Sequence, residues 1–186
     1  MINGKIKKII SVTFAGILSF CLVPETSAAP EFIERLNYIK QIRNSENHSN
    51  LEYMYTEILK LIIQSSESVE ELDGIRNELI DPMSTVNMSD EEQYYFDCCF
   101  SCYQIHRILL GSIIFTTEVF PVITFENEWI LQKIEEMTKC IDDLFQIRDE
   151  LDTSESHGSF NGVLLGSMDT LEVGLRNQVI SFSKYL

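Results

Sequence analysis

Apolar residues along this chain return every three or four positions far more often than every two, a rhythm that predicts helices and almost no strand. From Glu31 to Asn44 one side collects Phe32, Ile33, Leu36, Ile39 and Ile42, before the polar stretch Asn44 to Asn50 interrupts the pattern. Further helices are predicted over Leu51 to Ser66, Val69 to Ile80, Asp90 to Phe120, Phe125 to Leu151, and Asn161 to the C-terminus. Three of the starts carry a capping signature. Ser49 with Glu52, Ser68 with Glu71 and Ser89 with Glu92 each place a hydroxyl to accept a first-turn N–H, with a carboxylate three residues on that reaches back. Pro82 is expected to stop the third helix, since proline has no N–H to continue the ladder.

The two longest patterns need partners. Ile130, Ile134, Met137, Ile141, Leu144 and Leu151 follow the alternating spacing of a coiled-coil seam, with Arg148 as its polar break. Leu164, Met168, Leu171, Leu175 and Phe182 repeat that spacing, with Gln178 as the interruption. Breaks around Pro121 and from Ser154 to Gly158 are short enough to fold such helices back as antiparallel neighbours. The expected fold class is therefore all-α: an antiparallel helical bundle of three long C-terminal helices with three shorter N-terminal helices packed on it. Ile108 to Phe125 is the most apolar stretch after residue 28, but Glu118 and Pro121 interrupt it. It reads as the buried end of a long helix and its turn, not as a membrane hairpin.

Upstream of Pro30 the pattern changes. Lys5, Lys7 and Lys8 precede a mainly apolar run from Ile9 to Val23, closed by Pro24 and the small residues Thr26-Ser27-Ala28-Ala29. This is the three-part order of an export signal, and the run is too short for a membrane anchor of about 20 apolar residues. Residues 1–28 are thus expected to be a cleavable signal peptide and 29–186 a single helical-bundle domain, which places the protein in a periplasm or outside the cell. Removing Lys5, Lys7, Lys8 and Glu25 changes the balance from 29 acidic and 14 basic residues to 28 and 11. A surface this acidic repels phosphate backbones and anionic headgroups, so a protein partner is expected, with no nucleic acid and no stable membrane insertion after the signal is removed.

Candidate chemistry centres on cysteine. At about 100° per residue, Cys99, Cys102 and His106 share one face of the fourth helix, and Cys140 lies on the fifth. Those three with Cys140 are a set of soft ligands for zinc or copper. An oxidising compartment favours a different reading of the same residues. If the hairpin folds at Pro121, Cys102 faces Cys140, and a disulfide there would close a loop of roughly 38 residues and add about 3 to 4 kcal/mol in the chain-entropy model. Cys98 and Cys99 are adjacent and cannot bridge each other without bending the helix.

No catalytic signature accompanies them. The chain has no paired histidines spaced for a helical zinc protease, no glycine-flanked serine elbow and no phosphate-binding loop ending in lysine. Glu135-Glu136, Asp142-Asp143 and Asp149-Glu150 flank the apolar seam and read as solvated faces. Gly162, Gly166, Thr170 and Gly174 recur every four residues on the last helix, a strip where another backbone could approach closely. Tyr53, Tyr55, Tyr94, Tyr95 and Phe96 read as core before they read as a ligand cleft. The sequence-based expectation is an exported acidic bundle that acts by binding or protein–protein interaction and needs no cofactor; the alternative is a soft-metal protein using Cys99, Cys102, His106 and Cys140.

Overall fold

The computed structural model describes residues 30–44, 51–64, 68–151 and 158–186, and among them the chain is helical with no strand. The expected signal segment 1–28 and the capping residue Ser49 lie outside the described residues. Helix α1 is Pro30–Asn44 and α2 is Leu51–Gln64. Helix α3 begins as Val69–Ile75, widens into a π turn at Arg76–Ile80 and closes with Asp81–Met83. Helix α4 is Asp90–Ile114, extended by a second π turn at Phe115–Val119; α5 is Asn127–Asp149 and α6 is Gly158–Ser183.

Two of the expected caps form. Ser68 Oγ accepts the N–H of Glu71, and Ser89 Oγ accepts that of Glu92, each at 3.2 Å. Pro82, by contrast, does not end α3. The helix passes over it to Met83 because the π turn ahead of it shifts the ladder, Asp81 N–H bonding to Arg76 O. The carbonyl of Glu78, which a residue other than proline at 82 would have partnered, accepts instead from Arg43 Nη1 of α1 at 3.1 Å. The turn at Phe115–Val119 stands in the same relation to Pro121, with Phe120 N–H bonded to Phe115 O at 2.9 Å.

Successive helices run in opposite directions, as the contacts between them record. Tyr38 bonds Tyr53 and Arg35 pairs with Glu57, so α1 descends beside an ascending α2. Tyr55 lies against Tyr95 and Cys99, Tyr94 against Asn161, and Thr116 against Gln178, so α2, α4 and α6 ascend together. Helix α6 packs on α2, α4 and α5, and its seam residues Leu164, Met168, Leu171, Leu175 and Phe182 are all buried. The antiparallel bundle is therefore as expected, but its centre differs. Helix α2 belongs to it, with Ile58, Leu59, Leu61 and Ile62 buried, while α4 and α5 touch each other only sparingly.

The polar breaks in the seams have partners. Arg148 of α5 reaches Asp169 of α6 at 2.6 Å and Glu172 at 3.7 Å, and Gln178 accepts from Thr116 of α4 at 3.0 Å. Asp90–Val119 is long and apolar enough to cross a membrane by length and composition, yet 56% of its apolar window is buried inside the bundle. It serves as a core helix here.

Candidate functional site

The cysteine face of α4 points inward, toward α2. Cys98, Cys99, Cys102 and Cys140 are all buried, and all four are free thiols. The Cys102–Cys140 disulfide expected from the sequence is not formed. Two features of the backbone account for this: α6 occupies the space beside α4 and α5, and the turn runs from Val119 to Asn127, which moves the hairpin midpoint from Pro121 to about Ile123. Counted about that midpoint, Cys102 matches position 144 and not Cys140.

Nor do the soft ligands converge. Among the described residues no group of three or more His, Cys, Asp or Glu side chains is placed to hold a metal ion. Cys99 Sγ donates to the carbonyl of Tyr55 at 3.5 Å, joining α4 to α2. The charged neighbours felt by Cys140 are Asp143, Glu136 and Lys139, all of its own helix. Burial pushes the thiols of Cys102 and Cys140 up to about 12, and those of Cys98 and Cys99 also well up, so none supplies thiolate near neutral pH. His106 is also buried. Its imidazole is held neutral, pushed down to about 4 by burial against an opposing hydrogen bond to the Ile62 backbone, and Nδ1 has no hydrogen-bond partner among the described residues.

The aromatic residues read from the sequence divide between core and surface. Tyr55 and Tyr95 are buried and stacked at 5.6 Å, Tyr95 meets Phe160 edge-on at 4.7 Å, and Tyr53 is exposed and bonded to Tyr38. Above this cluster Glu52 Oε1 accepts the N–H groups of both Ser159 and Phe160 at 3.0 Å. The carboxylate read as half of the Ser49 capping box thus caps α6, while its bond to Ser49 falls outside the described residues. A first-turn glutamate beside the unpaired N–H groups of a second helix gains by neutralising them, because they lie on the positive end of that helix.

The four-residue strip on α6 divides as well. Each step of four rotates about 40° around a helix, so Gly174 stands about 120° from Gly162. That rotation carries Gly174 into the bundle, where an added Cβ would lie 2.6 Å from Leu109 Cδ2. Gly162, Gly166 and Thr170 are exposed, and an added Cβ at either glycine meets nothing within 4 Å. Val173 and Ile180 share this outer face at 60% and 58% exposure, a pairing that the buried seam's periodicity does not single out. Their signal was present in the sequence: two β-branched apolar residues lying opposite the buried seam.

Compared with known proteins, the chain matches no family model, no curated protein and no solved structure, so its own geometry has to carry the functional reading.

Proposed function

We propose that this is an exported, acidic helical-bundle protein that acts by binding another protein, through the outer face of α6. The observation that carries this reading is that two glycines sit inside a long helix at positions where no neighbour among the described residues uses the space. Each costs about 1 kcal/mol relative to alanine, and no packing against the described residues recovers it. A second helix laid on Gly162 and Gly166 would approach closely and cover Val173 and Ile180. Asp169 on the same face is already paired with Arg148, but the chain as a whole carries 29 acidic against 14 basic residues, so a basic, apolar-ridged helix is the partner that its overall field favours.

The test uses the processed protein as bait, beside its G162A/G166A variant, with a photo-crosslinker at Thr170. A partner that crosslinks to the parent, leaves with added salt and is lost by the variant supports the reading. Equal capture by both proteins, or turnover in a broad hydrolase panel that survives purification, overturns it.

A further inference from the structure

The link between α3 and α4 differs chemically from the rest of this acidic chain. From Ser84 to Ser89 it reads Ser-Thr-Val-Asn-Met-Ser, with no charged side chain. Asn87 with Ser89 two positions on makes an Asn-X-Ser triplet whose middle residue is not proline. Among the asparagines of the described residues, Asn87 alone has serine or threonine at that spacing. A second such triplet, Asn47-His48-Ser49, lies outside the described residues.

The fold presents this triplet openly. Backbone bonding out of α3 ends with Val86 N–H on Met83 O at 3.1 Å and resumes with Gln93 N–H on Ser89 O at 2.8 Å. Between them Asn87 to Ser89 are neither helix nor turn, and Ser89 has extended backbone. Ser84 and Thr85 direct their hydroxyls back onto α3, to Asp81 O at 2.7 Å and Pro82 O at 2.9 Å. Asn87 and Ser89 are exposed, and the Asn87 amide bonds to no described residue. The Ser89 oxygen accepts from Glu92 N–H at 3.2 Å, which leaves its own hydrogen to donate toward the side chain two residues back. Val86, 59% exposed, stands next to the amide, where a bulky, solvated substituent would cover it. Tyr55 OH on Glu92 Oε1 at 3.4 Å sets this link at the end of the bundle where α2 begins.

We infer that Asn87 is an acceptor for an N-linked glycan, received from a lipid-diphosphate oligosaccharide on the export route. A C–N bond forms between Asn87 Nδ2 and the anomeric carbon of the sugar, and the bond from that carbon to the diphosphate oxygen breaks. The lipid diphosphate departs with the electron pair, and an amide proton passes to a base of the transferase. Nothing is oxidised or reduced. A side-chain amide is a weak nucleophile because its nitrogen lone pair is delocalised, so it has to reach the transferase unencumbered. An exposed, unbonded amide between two helix ends meets that requirement in the nascent chain and in the folded bundle alike. This inference rests on the export part of the proposed function and is independent of the α6 face.

The experiment translates the full chain with endoplasmic-reticulum microsomes, which supply the transferase and the lipid-linked oligosaccharide. Intact mass is read before and after an amidase that removes N-linked glycans. Every protein carries Asn47→Gln, so that a glycan the amidase removes belongs to Asn87. This chain should lose residues 1–28 and gain a glycan mass that the amidase takes away. Adding Asn87→Gln should abolish the gain, while Ser89→Thr, which keeps both the hydroxyl and the helix cap, should retain it. A processed chain that stays unmodified overturns the inference and leaves export standing. A chain neither processed nor modified overturns both, and an N-linked glycan that survives Asn87→Gln overturns the assignment to this residue.

Discussion

Glu52 in the first turn of α2 accepts the backbone N–H of Phe160 in the first turn of α6, 108 residues further along the chain, and shares the same oxygen with Ser159. The bond closes the bundle at one end, fixing where α6 enters against α2 and α4. Replacing this carboxylate removes a cap that no local residue supplies among the described positions. Glu52→Ala is expected to lower stability by about 1 to 2 kcal/mol, the range for loss of an N-terminal cap, and Glu52→Gln by less, because an amide oxygen still accepts but carries no charge toward the helix end. Urea unfolding followed by circular dichroism gives both values.

The glycines of α6 should respond with opposite signs. Gly162→Ala and Gly166→Ala add a methyl group to open space and should each stabilise the protein by up to about 1 kcal/mol. Gly174→Ala pushes a Cβ into Leu109, whose side chain is buried, and the resulting overpacking of about 1 to 3 kcal/mol exceeds the helix-propensity gain. Thermal melts of the three single variants order them, and a Gly174→Ala protein more stable than its parent would show that Leu109 has room to move.

His106 makes stability depend on pH. Its ordinary value is 6.5 and burial takes it to about 4 in the folded protein, so the unfolded chain takes up a proton first as pH falls. The folded state keeps its full advantage above about pH 6.5 and loses it progressively down to about pH 4. The loss is on the order of 3 kcal/mol, at about 1.36 kcal/mol for each pH unit between those two values. His106→Gln should flatten this part of the profile, and parallel denaturant titrations across that pH window would reveal it.

The thiols are expected to be silent in the native state. Four cysteines among the described residues are buried and unpaired, with burial raising every one. A thiol reagent should label none of them on the folded protein at neutral pH and all four after denaturation. Intact mass should be the same with and without reductant; a loss of two mass units on oxidation would restore a disulfide.

Periodicity alone determined that the chain is helical, where most of the helices lie and which of their faces are buried, because an apolar face at helical pitch has to be hidden whatever covers it. Leu164, Met168, Leu171, Leu175 and Phe182 were legible in this way, and so were the caps at Ser68 and Ser89, whose partners are three residues distant. Tertiary structure decided which helix covers which. Helix α6 packs between α4 and α5, so Cys102 and Cys140 stay apart; Glu52 caps the first turn of a helix far along the chain; and two π turns carry the chain past or up to its prolines. Local spacing specifies a residue's angle around its own helix but leaves the neighbouring helix open, and that choice is made by the packing of the whole bundle at once.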